Sequence, residues 1–240
     1  MQIIISGYGK MGKKIEQVAL KRKHHIIHII DTIRDWDALK KGVLKADAII
    51  DFSLPQVAPD NIKKAFDYNI PIISGTTGWE DQKEEIIELC QKKQQTLFYA
   101  PNFSIGVNIF FEINRVLSRL MISHKDYDVH IEETHHTHKL DKPSGTAIHL
   151  ANDILKLHKH KKNWQLAPVA EKSSLGIVSK REGHVIGTHK VVYHSAIDQI
   201  ALEHESNNRE GFALGAVLAA EWVHNKKGFY EMKDMLNFNK

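Results

Sequence analysis

The densest chemistry in this 240-residue chain is the run Glu133-Thr134-His135-His136-Thr137-His138-Lys139-Leu140-Asp141-Lys142-Pro143-Ser144-Gly145-Thr146-Ala147. Its second half, Pro143-Ser144-Gly145-Thr146, reads as the start of a helix. Ser144 or Thr146 can cap that helix, and the exposed backbone N–H groups of its first turn can then hold an anion. A carboxylate bound there would gain charge-assisted hydrogen bonds from His136 and Lys139. A histidine titrating near neutrality can also donate a proton to such a substrate. A metal centre is not expected. The interleaved lysines repel a cation, and no matching Cys/His set stands at a metal-ligand spacing.

A second motif answers the first. Gly7-Tyr8-Gly9-Lys10-Met11-Gly12 is G-x-G-x-x-G, directly after the strand-like Ile3-Ile4-Ile5 and at the opening of a helical pattern. Glycines permit a tight turn and close backbone approach, while the helix N-terminus attracts a pyrophosphate. Asp31 closes the next strand, where an acid commonly accepts hydrogen bonds from an adenine-ribose diol. A carboxylate there repels a 2′-phosphate, which favours NADH over NADPH, although Arg34 and Thr32 lie close by in sequence. Two further loops follow strand-like runs: Gly75-Thr76-Thr77-Gly78 and Ala100-Pro101-Asn102-Phe103-Ser104. Both belong on the carboxyl edge of a parallel sheet, where ligands of open α/β folds bind. A hydride donor and a cationic pocket with a proton donor together make a reductase of a small polyanionic acid.

The elements that must position these residues are legible from periodicity. Strand-like runs at residues 3–5, 26–30, 46–52, 71–74 and 96–100 alternate with helical patterns at 11–19, 60–68 and 81–92. Such alternation argues for a parallel sheet covered by helices on both faces. After residue 100 the pattern changes. A long apolar-faced helix spans 107–121, period-two alternation runs through 129–134, and a helix covers 146–158. Segments 177–181, 185–194 and 199–205 read as antiparallel strands, with Glu182-Gly183 as a turn between the first two. A helix at 211–224 follows. The fold class is therefore α/β: a Rossmann-type dinucleotide-binding domain, residues 1–106 completed by 209–240, with an inserted α+β domain, residues 107–208.

Composition bounds the partners. The chain is 42% apolar and 26% charged, with a formal charge of +4, too small for a dedicated nucleic-acid binder. No apolar run approaches the roughly 20 residues that cross a bilayer, and the start has no charged region of the kind that opens a signal peptide. The single cysteine, Cys90, reads as a small core residue and fits a reducing, cytoplasmic setting. The basic cluster at residues 156–162 reads as a solvated helix end and loop. Of the 16 histidines, those at 24–25 and 158–160 have no chemical context and read as surface residues.

The run at 133–147 resembles the E-x-H-H-x-x-K-x-D-x-P-S-G-T-A stretch of the 4-hydroxy-tetrahydrodipicolinate reductase (dihydrodipicolinate reductase) family. The resemblance extends to the glycine loop, Asp51-Phe52-Ser53, Gly75-Thr76-Thr77, residues 100–104, Asp126-Tyr127-Asp128, Arg209-Glu210-Gly211-Phe212 and residues 228–236. It implies a hydride passing from NADH or NADPH to a cyclic, imine-like dicarboxylate, with loss of a hydroxyl as water, in the diaminopimelate route to lysine. It implies His135 as the proton donor and Lys139 as the catalytic lysine. His136, Gly145 and Thr146 would bind the substrate carboxylates. Gly7, Tyr8, Gly9, Lys10, Met11, Gly12, Asp31, Gly75, Thr76, Thr77, Ala100, Pro101, Asn102 and Phe103 would meet the cofactor. It also implies a homotetramer assembled through the sheet of the inserted domain. The sequence departs from the family in a compressed segment between Asp31 and Ala46, and in Asp31-Thr32, where many relatives carry an acidic-basic pair. Three rivals remain at this level: another two-domain dehydrogenase of a small acid, a non-catalytic NADH-binding regulator, and a metal-dependent hydrolase.

Overall fold

The computed structural model describes residues 1–37, 39, 45–169, 171–208 and 210–238. Arg209, one of the motif residues above, lies outside them. Along the first hundred residues run β1 (Gln2–Ser6), α1 (Lys10–Lys21), β2 (His25–Ile30), α2 (Ile33–Asp37), β3 (Ala48–Asp51), α3 (Ala58–Asp67), β4 (Ile72–Ser74), α4 (Lys83–Lys92) and β5 (Thr96–Tyr99). Then come α5 (Ile105–Met121), β6 (Asp128–His135), α6 (Gly145–Leu157), β7 (Asn163–Leu166), β8 (Ser174–Arg181), β9 (Thr188–His194) and β10 (Gln199–Glu205). The chain ends with α7 (Glu210–Trp222), β11 (Gly228–Tyr230) and α8 (Met232–Met235). It divides into two compact units, one of Met1–Ile105 with Glu210–Lys240 and one of Gly106–Arg209.

The first unit is a six-stranded sheet in the order β11-β5-β4-β3-β1-β2, with every pairing parallel. Consecutive isoleucines explain β1, because a central parallel strand is covered on both faces and reads apolar throughout. Ile3 and Ile5 join a core with Ile15, Val18, Ala216 and Ala220, whereas Ile4 joins another with Ile62, Phe66, Trp79 and Cys90. Cys90 is fully buried. The parallel arrangement carries the loops after β1, β2, β3, β4 and β5 to one edge.

The second unit is a five-stranded mixed sheet in the order β10-β9-β6-β8-β7, with one face against α5 and α6. β6 alternates strictly, so Val129, Ile131, Glu133 and His135 are buried while His130, Glu132 and Thr134 are half-buried. Val129 and Ile131 share their core with Phe110, Phe111, Leu150, Ile154, Val191 and Tyr193.

Four expectations need correction. Glu182-Gly183 does not join paired strands. β6 lies between β8 and β9, parallel to the first and antiparallel to the second. The 185–194 strand also starts later, at Thr188. The basic cluster is not wholly solvated either. Lys161 is buried, its ammonium held by the carbonyls of Lys172 (2.7 Å) and Ser174 (3.0 Å) and by Asp128 Oδ1 (2.7 Å). His158 is buried too, with Nε2 3.0 Å from the Ser118 carbonyl. α2, β7, β11 and α8 had no counterpart in the sequence reading. Among the described residues no helix is long and apolar enough to cross a membrane.

Candidate active site

At Gly7 and Gly12 the glycine loop is packed so tightly that a side chain has no room. Gly7 has φ +85°, and a Cβ there would stand 2.4 Å from the Phe52 carbonyl oxygen. A Cβ on Gly12 would stand 2.2 Å from the Gly7 carbonyl oxygen. Gly9 precedes α1 with open space before it, and Lys10 and Met11 form the first turn. The Tyr8 N–H donates to Asp31 Oδ1 at 2.9 Å, which ties the loop to the end of β2. A cavity of about 390 Å³ opens above, lined by Gly7, Tyr8, Gly9, Asp31, Thr32 and Trp36 among others. A glycine loop and a helix N-terminus to donate, with an acid to accept, on one cavity are the groups that a dinucleotide requires.

Of the other expected cofactor contacts, several are committed to structure. The Thr76 hydroxyl is buried; it donates to Asp51 Oδ2 (2.8 Å) and accepts from the Ser53 N–H (2.9 Å). Gly75 leaves room for the Phe52 ring, which a Cβ would meet at 2.3 Å. Ala100 is buried, and the Phe103 ring packs in the core against Phe52 and Phe98. These residues offer a ligand backbone, not side chains. Thr77 and Pro101 are exposed, and half-buried Asn102 accepts the Ser104 N–H at 2.8 Å.

Beneath these loops lies a group with no assigned role in the sequence reading. Asp51 is fully buried at the end of β3. Its oxygens accept from Ser6 Oγ (2.8 Å), Asn61 Nδ2 (3.2 Å), Ser74 Oγ (3.2 Å) and Thr76 Oγ1 (2.8 Å). Burial pushes its carboxyl above the usual carboxylate range, against the pull of these neutral donors.

In the second unit the strand alternation of β6 turns Glu133 and His135 inward. His135 Nδ1 stands 2.6 Å from Glu133 Oε2. The other oxygen, Oε1, accepts from the Ser144 N–H (3.2 Å) and from Arg181 Nη1 (3.1 Å), and the Ser179 hydroxyl donates to it as well. Burial raises the Glu133 carboxyl, but the contacts with His135, Ser179 and Ser144 outweigh it and hold the group well below the usual carboxylate range. His189, on β9, lies beside the pair, with its ring centroid 5.0 Å from that of His135. Burial, reinforced by His135, lowers His189 to about 3, so it is neutral at physiological pH.

Ser144 caps α6 as expected: its Oγ accepts the Ala147 N–H at 3.2 Å. Nothing lies within 4 Å of a Cβ built on Gly145, and Thr146 is half-buried. The helix therefore opens onto free space with its first-turn N–H groups forward, an arrangement that binds a carboxylate. Lys139 Nζ sits 2.7 Å from each Asp141 oxygen in the turn that follows His136 and His138. Arg181 spans the two halves of the site. It bonds Glu133 through Nη1, the Lys139 carbonyl through Nε (3.2 Å) and the Asp141 carbonyl through Nη2 (2.5 Å).

The structure thus brings His135, Ser144 and the Lys139 loop together through Glu133 and Arg181. Sequence reasoning gave no role to Glu133, Arg181, Ser179 or His189. His189 had a signal, since it shares the inward phase of Val191 and Tyr193. Glu133, His135 and His189 each bring a ligand atom within 4.8 Å of the others. Two ligands at about 2.1 Å from one tetrahedral zinc ion stand about 3.4 Å apart. The 2.6 Å between His135 Nδ1 and Glu133 Oε2 is shorter than that separation, a direct contact between the two groups.

Comparison with known proteins covers both units. Residues 1–103 match the family model described as dihydrodipicolinate reductase, N-terminus, and residues 106–236 match dihydrodipicolinate reductase, C-terminus. The chain is 46% identical over 237 residues to the 4-hydroxy-tetrahydrodipicolinate reductase of Christiangramia forsetii, across 99% of this chain and 98% of that protein. It is 33% identical over 261 residues to the enzyme of the same name from Archaeoglobus fulgidus, across 98% and 100%. A solved dihydrodipicolinate reductase from Paenisporosarcina sp. TG-14, with dipicolinate bound, shares the fold with a TM-score of 0.80 at 20% identity, across 98% of each chain.

Proposed function

This chain belongs to the dihydrodipicolinate reductase family, and from that premise we propose that it reduces 4-hydroxy-tetrahydrodipicolinate to tetrahydrodipicolinate with NAD(P)H, in the diaminopimelate route to lysine. The observation that carries the reading is one carboxylate, Glu133, in contact both with His135 and with the Ser144 N–H at the start of α6. A proton donor and an anion-binding helix end are thereby parts of one site.

The cofactor, bound over the glycine loop, supplies a hydride. The reaction balances when that hydride adds to the substrate ring, one proton is taken up, and the ring hydroxyl leaves as water. His135 delivers the proton. The N–H groups at Gly145 and Thr146 hold a substrate carboxylate, and His136 lies one residue beyond the proton donor to contact it. Lys139 exchanges Asp141 for a substrate carboxylate, so that binding energy orients the ring. Lys139→Ala should accordingly raise KM as well as lower kcat.

NADH is the favoured cofactor. The Asp31 carboxylate at the cavity edge repels a 2′-phosphate. Thr32, a potential donor to that phosphate, already gives its N–H (2.6 Å) and hydroxyl (3.0 Å) to Asp35 Oδ2. Backbone donation from Asp31 and Thr32 keeps the Asp35 carboxyl below its ordinary range, so it remains an anion there. The same reading gives a homotetramer built through the second unit's sheet, and a cytoplasmic enzyme.

A coupled assay tests this. Aspartate semialdehyde, pyruvate and the upstream synthase generate the substrate, and oxidation of either nucleotide is followed by absorbance. Oxidation above the synthase-free control is expected, with the larger kcat/KM for NADH. No oxidation with either nucleotide would reject the activity, and a strong preference for NADPH would reject the cofactor assignment.

A further inference from the structure

Glu133 accepts three hydrogen bonds besides facing His135, and the proton donor alone does not account for them. Its Oε1 is fixed from three sides: by Ser144 at the start of α6, and by Ser179 and Arg181 on β8. That leaves Oε2 with a single direction, and His135 Nδ1 lies along it at 2.6 Å. Both atoms are buried and neither makes a well-aligned hydrogen bond, so what joins them is the 2.6 Å contact itself; among the described residues His189 Nε2 lies next nearest to Oε2, at 4.0 Å. The opposite edge of the imidazole faces Gly187, where a Cβ would stand 3.0 Å from Nε2. A glycine there keeps side-chain atoms away from Nε2.

We propose that Glu133 is the positioning residue of this site: it holds a proton on Nδ1 of His135, so that Nε2 is the nitrogen that donates to the substrate. The proposal rests on the reading of His135 as the proton donor. In the step, the Nε2–H bond breaks, the proton passes to the substrate, and the imidazole is left neutral with its remaining proton on Nδ1 facing Glu133. Reprotonation at Nε2 from solvent restores it. A carboxylate beside a histidine fixes its tautomer and stabilises the imidazolium, as in other carboxylate–histidine pairs.

The charged and titratable groups around the ring are few. Glu133 is on its own strand, Arg181 on β8 and His189 on β9; Lys139 is in the following loop, and His204 on β10 acts on the ring through His189. Arg181 is paired with Glu133 and His189 is uncharged at neutral pH, and among the described residues Glu133 is the anion in contact with the imidazole. The Arg181 bonds to the Lys139 and Asp141 carbonyls extend the same hold to the loop of the second catalytic residue.

Two measurements decide it. In wild-type protein labelled with ¹⁵N-histidine, His135 is assigned by the resonance missing from His135→Gln. Its neutral form should carry the proton on Nδ1, and a proton on Nε2 would overturn the proposal whatever any variant does. In Glu133→Gln the anion is lost while shape and an acceptor remain. The pH at which kcat falls on the alkaline side should move down by at least one unit, with kcat at neutral pH reduced tenfold or more. KM should stay within threefold, and Glu133→Asp should recover part of kcat. An alkaline limb coincident with wild type would overturn the proposal. If His135→Gln keeps full kcat, the catalytic reading of His135 fails, and the ¹⁵N tautomer still reports separately on what Glu133 does.

Discussion

Asp51 and Glu133 are both buried carboxylates near the end of an inner strand, one in each unit, and they differ in what surrounds them. Asp51 is met by three hydroxyls and one amide, all neutral. Burial dominates there, and its carboxyl rises above the usual range. Glu133 meets Arg181 and His135 as well as neutral donors, and its carboxyl falls. Neutral donors join strand ends and fix loops without creating a reactive charge. Cationic partners keep a carboxylate ionised in the interior, where it can act on a neighbouring imidazole. The first arrangement suits a platform for a cofactor, and the second a site that moves a proton.

The sharpest way to break this contrast is to remove the cation. Arg181→Ala leaves Glu133 buried without its guanidinium and frees the Lys139 and Asp141 carbonyls. Removing one partner of a buried pair costs about 3–5 kcal/mol, measurable as a lower urea midpoint, and catalysis should suffer with it. A loss under about 1 kcal/mol would mean that water already screens the pair.

Next in size is acid sensitivity, where the two units should differ in sign. His189 has a folded value of about 3 against an ordinary 6.5. The unfolded chain therefore binds a proton that the fold refuses, and this contribution to stability is present above pH 6.5 and declines as pH falls toward 3. Glu133, also depressed, adds to the loss below its ordinary 4.5. Asp51 runs the other way. Its folded value is raised, so its contribution is fully present below its ordinary 3.8 and is lost as pH rises from there through the raised folded value. Thermal melts between pH 7 and 4.5 should show Tm falling with pH, and His189→Asn should flatten that slope. An unchanged slope would remove His189 from the account.

The smallest effect is expected from Asp51→Asn. An amide keeps the shape and one acceptor, and the hydroxyls around it can rotate, so the cost should be about 1–2 kcal/mol. Its kinetic signature should be a higher KM for the nucleotide, because Thr76 and the Ser6 strand end lose their anchor, with kcat little changed. A large loss of kcat would place Asp51 in the chemistry and erase the contrast.

How much of this was legible in the sequence follows from how local each signal is. The glycine loop, the Ser144 cap and the period-two alternation through 129–134 are set by residues within a few positions, and the pattern carries them. The second sheet's order was not legible. Glu182-Gly183 has turn chemistry, but a turn does not say which strands pair, and β6 takes the place between β8 and β9 through side-chain packing. Lys161 was misjudged for the same reason: its partner Asp128 is 33 residues away, so the run of charges around it looked solvated. Arg181 and His189 meet Glu133 from other strands, 48 and 56 residues further along. Such contacts are visible only once the strands are paired.

The central claim is that a reductase site is assembled around His135, and one comparison addresses it directly. Wild type and His135→Gln are assayed side by side with NADH and enzymatically generated substrate. Loss of a general acid should lower kcat by about 10²–10⁴-fold, with KM within about threefold because a proton donor acts in the transition state. A kcat within twofold of wild type would contradict the account.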